Sequence, residues 1–378
     1  MKADDASTID NHDDINAMIN TEGSIQTLGR GVKELVQAVQ VLRHIGVEEL
    51  DLPLPKIVVV GDQSTGKSSL IEAMSEIKVP RGAGTCTRCP LEINLTESST
   101  STWSCEIYLC KKYAYDGRQG VQSQGRGFQR SEGATRDRPL GPWILQNSEE
   151  VHFASLDSKS EVPRILHLAQ LAILNPTTDH NKYAPNKNPV PKESFQVKFS
   201  PNVIRLNISG PGLLNLSFYD LPGVINVPDV MEEHYVVDLI KNLVKQYIQA
   251  EDSINLLALP MTDDPANSSA SKLIREIKAE SRTIGCLTKP DRLQEVESLE
   301  QWEGILKGER FHLGFGYFVI KNNPDPTIDH ATARAEEATY FDTIMPWTTT
   351  FIKYADRYGT FKLQTQLSEL LTRQIQFW

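Results

Sequence analysis

Ile57-Val58-Val59-Val60-Gly61-Asp62-Gln63-Ser64-Thr65-Gly66-Lys67-Ser68 decides how the rest of the chain is read. The β-branched run is strand-forming, and the glycines that follow turn the backbone sharply. Ser68 to Met74 then has helical character, so the local order is strand, loop, helix. In that setting the run fits a phosphate-binding loop, with successive N–H groups pointing inward and the positive end of a helix dipole behind them. Gly61, Asp62, Thr65, Gly66, Lys67, Ser68 and Ser69 are its nucleotide-binding candidates. Lys67 should reach the β- and γ-phosphates, and the Ser68 hydroxyl should ligate Mg²⁺. Outside this context the run would be an ordinary Gly-rich turn.

Further along, strand character recurs at Leu213 to Tyr219, Ile254 to Leu259, Thr283 to Leu287 and Tyr317 to Ile320. Helical stretches such as Val230 to Ala250 and Ser269 to Ala279 separate these runs. Strands alternating with helices predict an α/β fold, with a mostly parallel central sheet and helices on both faces. Upstream, Leu28, Val32, Leu35, Val36, Val39 and Leu42 form one stripe of an amphipathic helix between Ser24 and Gly46. Phe361, Leu363, Leu367, Leu370, Leu371 and Ile375 form another near the far end, so a flanking helical bundle from the chain ends is expected. Lys111 to Gly141 is rich in Gly, Gln and Arg without clear periodicity, and reads as a mobile insertion.

Asp220-Leu221-Pro222-Gly223 follows the apolar positions Leu214, Leu216 and Phe218, which puts Asp220 at the carboxyl end of a strand, where ligands collect. Asp220 can hold Mg²⁺ through water, and the Gly223 N–H can meet the γ-phosphate. Thr288-Lys289-Pro290-Asp291 follows another strand and selects the base. The Asp291 carboxylate can accept from both the ring N–H and the exocyclic amine of guanine, whereas adenine has no such pair of donors. The Lys289 stem can cover the ring face. Each tetrapeptide alone could be a surface turn; in this order after the first loop they point to GTP and disfavour an ATPase.

The bulk properties narrow the class. The chain of 378 residues suits one large domain or two smaller ones, and 39% hydrophobic with 23% charged residues is an ordinary globular composition. Its apolar runs, such as Leu256 to Leu259, are strand-sized and far short of the ~20 residues of a membrane span. A net charge of -10 argues against a general nucleic-acid surface. Met1 to Asp14 is acidic and lacks a secretory pattern, so a cytoplasmic location is expected, with any membrane contact peripheral. The five cysteines, Cys86, Cys89, Cys105, Cys110 and Cys286, are odd in number and expected to stay thiols in a reducing cytosol, and Cys86-x-x-Cys89 lacks the second close-spaced pair of a zinc site.

The motif series resembles the dynamin superfamily. The resemblance rests on Gly61-Asp62-Gln63-Ser64, Pro80-Arg81-Gly82-Ala83-Gly84, Thr87-Arg88-Cys89-Pro90, Asp220-Leu221-Pro222-Gly223 and Arg282 through Asp291. The Pro290 version and Gly316-Tyr317-Phe318-Val319-Ile320-Lys321 look nearest the Mx and fungal dynamin-like branches. The resemblance implies a P-loop GTPase fold. It also implies that Gln63 orients the attacking water, that Ser64 with the Gly82 and Gly84 carbonyls holds K⁺ or Na⁺, and that Thr87 meets Mg²⁺ and the water. Asn322 matches a residue near the base. Val224 stands where Ras-like GTPases place a water-positioning Gln, so that task must pass to another residue. The family completes its site when two GTPase domains pair, so a nucleotide-bound homodimer is a further expectation.

The resulting layout is a tail and bundle helix over 1–50, a GTPase domain over 51–335 with an insertion at about 111–141, and bundle helices over 336–378. The family's helical stalk is expected to be absent, since the sequence stops at Trp378. Two functions remain open at this stage. One is GTP hydrolysis by direct water attack, tied to membrane remodelling or organelle dynamics. The other is a GTP-gated scaffold with little turnover that docks on membranes, microtubules or a full-length dynamin relative.

Overall fold

A computed structural model describes residues 55–79, 87–98, 102–116, 134–186, 194–226, 234–293, 297–325 and 327–376. The expected bundle helix at 24–46, together with Gly82 and Gly84, lies outside the described residues. In chain order the first elements are β1 (Lys56–Val60), α1 (Lys67–Ser75), β2 (Leu91–Glu97), β3 (Ser104–Tyr115), β4 (Trp143–Leu156) and α2 (Val162–Leu174). There follow β5 (Val203–Gly210), β6 (Leu216–Asp220), α3 (His234–Ile248), β7 (Ser253–Pro260), α4 (Ser269–Glu276) and β8 (Thr283–Thr288). The last are α5 (Glu297–Lys307), β9 (Tyr317–Ile320), α6 (His330–Thr343) and α7 (Thr360–Gln376).

The strands form one nine-stranded sheet in the order β4-β3-β5-β2-β6-β1-β7-β8-β9. From β6 to β9 every pairing is parallel, so the carboxyl ends of these strands share one edge. β2 runs antiparallel to β6, with Leu91 opposite Asp220. That reversal matters for the site, because it brings the residues just before β2 to the edge where β6 ends.

β1 shows why both faces are covered. Ile57 and Val59 pack with Leu70, Ile71 and Met74 of α1 on one side, while Val58 and Val60 pack with Leu239, Ile240 and Leu243 of α3 on the other. The strand alternates faces but is apolar on both, as a central parallel strand must be. Full burial of each such side chain contributes about 1.5–3 kcal/mol. α7 sets Leu363, Leu367, Leu370 and Leu371 into the same core as α1, and Gln364 Nε2 donates to the Met74 carbonyl at 2.7 Å.

The expected insertion needs correcting at its start. Lys111 to Tyr115 is the outer end of β3 and pairs with β4 through Lys111↔Glu149, Tyr113↔Leu145 and Tyr115↔Trp143. Register shifts between Ile107 and Tyr108 and between Lys111 and Tyr113 break the two-residue alternation that marks a strand. Residues 117–133 of that stretch lie outside the described residues.

Candidate functional site

The loop after β1 is shaped by positions that exclude side chains or demand unusual backbone. A Cβ on Gly61 would lie 2.6 Å from Thr65 Oγ1 and 2.8 Å from the Ala258 carbonyl. Ser64 and Gly66 adopt left-handed φ values of 65° and 94°, curling the chain as an anion-binding nest requires. Gly66 starts α1 without a side-chain cap, which leaves first-turn amides as donors for an anion.

Lys67 is buried and donates to the carbonyls of Gly61 at 3.1 Å and Asp62 at 2.8 Å, so its stem lies along the loop. Burial lowers its pKa, and the charges of Asp220 and Asp62 act in the opposite direction. The Asp62 carboxylate accepts from the Ser269 and Ala270 amides, both at 3.0 Å, and thereby braces the loop against the N-terminus of α4. This side-chain role was not visible in the sequence.

The Asp220 loop is paired to the phosphate loop. Val224 N donates to the Gly61 carbonyl at 3.2 Å and Gln63 N to the Val224 carbonyl at 3.3 Å. The Gln63 amide is therefore engaged by the protein, while its side chain and Ser64 are exposed. A Cβ on Gly223 would come within 2.9 Å of Gln63 Cα and 3.1 Å of Lys67 Nζ, so only glycine fits that approach. Val224 is buried in the core.

Asp220 is buried at the end of β6, and its Oδ2 accepts from Thr87 Oγ1 at 3.0 Å. Ser68 Oγ lies 3.5 Å from the same hydroxyl. The other carboxylate oxygen, Oδ1, is buried without a hydrogen-bond partner. An orphaned acceptor beside two hydroxyls is a donor set that fits a hard cation such as Mg²⁺.

Burial raises the Asp220 pKa to about 6, with Lys67 and the Thr87 hydrogen bond opposing the rise. A folded-state pKa above the unfolded value means a stability contribution present at low pH and lost as pH rises through about 6. Asp220→Asn is therefore expected to stabilise the nucleotide-free protein at pH 7.5 by about 2–3 kcal/mol, an advantage that shrinks toward pH 4. Thermal melting of the two proteins at both pH values checks this.

The base-side turn is tied to the phosphate loop by two bonds. Thr288 Oγ1 donates to the Thr65 carbonyl at 2.6 Å, and Lys289 Nζ donates to the Ser64 carbonyl at 2.7 Å. Lys289 itself sits at a left-handed φ of 55°, which stretches its stem across to that loop. Asp291 is exposed in the short turn Pro290–Arg292. Asn322 follows β9, and its Oδ1 is buried without a hydrogen-bond partner. Asn322 and Ser69 line one cavity together with Glu72, Lys78 and Glu337. Glu337 and its neighbour on the same helix face, Tyr340, had no signal in the sequence, where they look like ordinary helical residues.

The loop after β1, the oxygen cluster of Ser68, Thr87 and Asp220 and the turn from Thr288 to Asp291 meet at the carboxyl edge of the parallel half of the sheet, the arrangement of a P-loop nucleotide-binding fold. The chain belongs to the dynamin family, whose model matches residues 57–290. It is similar to the interferon-induced GTP-binding protein Mx3 of Oncorhynchus mykiss, at 29% identity over 291 residues, covering 77% of this chain and 37% of that protein. It is also similar to the interferon-induced GTP-binding protein Mx2 of Homo sapiens, at 30% identity over 317 residues, covering 82% and 36%. The chain thus spans little more than a third of the length of these relatives.

Proposed function

We propose that this dynamin-family chain binds GTP with Mg²⁺ and hydrolyses it to GDP and phosphate by direct attack of water on the γ-phosphorus. The observation that carries this reading is the meeting of Ser68 Oγ, Thr87 Oγ1 and the orphaned Asp220 Oδ1 beside the phosphate loop. Mg²⁺ held by Ser68, by Thr87 and, through water, by Asp220 would neutralise charge on the β- and γ-oxygens. Loop amides and Lys67 take up further charge as the bond to the bridging oxygen breaks. Gln63 and Thr87 orient the attacking water, whose proton ends on the released phosphate. Ser64 is assigned with Gly82 and Gly84 to a K⁺ or Na⁺ ion.

Asp291, backed by Lys289, Thr288 and Asn322, is assigned to guanine. That the relatives are named GTP-binding proteins supports the choice of ligand. The exposure of Gln63 and Ser64 supports a site that is completed by a second GTPase domain. The same exposure favours the second reading, a GTP-gated scaffold with little turnover. Either function is assigned to the cytoplasm, at the periphery of organelle membranes or on microtubules, and the hydrolytic one to membrane remodelling. No described helix is long and apolar enough to cross a membrane.

The deciding experiment follows phosphate release from GTP by the purified chain in potassium buffer over a range of protein concentrations. Hydrolysis with pairing predicts a specific rate that rises with concentration. Tight binding with only GTP recovered after long incubation would sink the hydrolytic reading in favour of the scaffold.

A further inference from the structure

Glu337 is a buried carboxylate on α6, outside every motif read from the sequence. Its Oε1 accepts from the Lys321 amide and its Oε2 from the Thr360 amide, each at 2.9 Å. The first amide directly precedes Asn322, and the second opens α7. A buried carboxylate is costly unless both oxygens are paired, and here each is committed to main chain from a different part of the fold.

Neighbouring contacts join the same parts. Gly359 N donates to the Val319 carbonyl at 2.9 Å, and Val319 bridges to Tyr358, so the approach to α7 runs beside β9. On α6, Tyr340 lies under Lys321, with Nζ 5.3 Å from the ring centroid, and its hydroxyl accepts from Trp347 Nε1 at 3.0 Å. α7 in turn reaches the last turn of α1 through Gln364, the helix whose first turn faces the phosphates.

We propose that Glu337 is a positioning residue for purine recognition, strapping the loop that carries Asn322 to the start of α7. Occupancy of the base subsite and docking of α7 then stabilise each other, and such coupling is reciprocal. The proposal rests on the guanine-nucleotide reading above. The unpartnered Asn322 Oδ1 marks the strapped loop as the place where a ligand donor is received.

The test uses the full chain carrying Glu337→Gln. The carboxamide keeps one acceptor but turns a donor toward an amide N–H, so one half of the strap is released. The expected result is a Kd for GDP weakened about tenfold. KM for GTP should rise with kcat held within about twofold, the signature of lost uniform binding. Affinity for pyrophosphate should not change, because the phosphate loop does not hang on the strap. In the unaltered protein, GDP should slow amide hydrogen exchange at residues 360–363, and pyrophosphate should not.

An unchanged Kd for GDP in the variant, or exchange at 360–363 indifferent to GDP, overturns the strap. Equal losses of GDP and pyrophosphate binding would mark Glu337 as a general support of the fold and also overturn it. An unaltered protein that binds neither GDP nor GTP would sink the guanine reading and the strap together.

Discussion

Lys67→Ala is expected to lower the rate of phosphate release from GTP by about 10³-fold, measured under single-turnover conditions so that product release does not mask the step. The buried ammonium is the positive side chain the phosphate loop holds in place, through the Gly61 and Asp62 carbonyls. Alanine keeps the loop amides but removes the charge that would follow the γ-phosphate as its oxygens gain electron density. Nucleotide binding should weaken as well, since the same ammonium meets the ground-state phosphates. Equal rates for the two proteins would remove the hydrolytic mechanism.

Asp291→Asn is expected to exchange one base for another. Guanine offers the carboxylate two donors, and an asparagine amide presents a donor where an acceptor is needed. GTP affinity should fall by about 10³-fold or more, as expected when a recognition site is left with mismatched polar groups. Xanthosine triphosphate carries a carbonyl in place of the exocyclic amine, so it should gain on GTP by a similar factor. Asp291 is exposed, so the fold should tolerate the change. Direct titration of each triphosphate into each protein by calorimetry reads the ratio, and an unaltered ratio would place guanine recognition elsewhere.

The half of the fold that builds the site was legible because each of its pieces is contiguous. β1 and the glycine loop sit side by side in sequence, as do β6 with Asp220 and β8 with the Thr288 turn. The antiparallel wing was not legible. β2 alternates Leu91, Ile93 and Leu95 with Glu92 and Asn94, which looks like a strand with one wet face. Both polar residues are in fact buried, Glu92 against Arg205 at 2.8 Å and Asn94 against Asn207 at 2.9 Å, through partners far along the chain. α2 is apolar over most of its surface, and its polar stripe is only Arg164, His167 and Gln170, too narrow to have marked it as a surface helix.

The site divides in the same way. Thr87 followed only from the family resemblance, because its meeting with Asp220 depends on the reversal of β2 against β6. The bracing of Asp62 on α4 and the clasp of Glu337 join segments whose proximity exists only after folding. No local pattern could announce them.

The bonds from Thr288 and Lys289 to the carbonyls of Thr65 and Ser64 make the molecule a gauge of fixed span. With guanine at Asp291 as proposed, the distance from purine seat to phosphate cradle would be set by protein alone, so guanosine mono-, di- and triphosphates would all be offered the same two anchor points. Telling a spent nucleotide from a fresh one must then fall to whatever lies past the second phosphorus, on the side of Thr87 and Gly223.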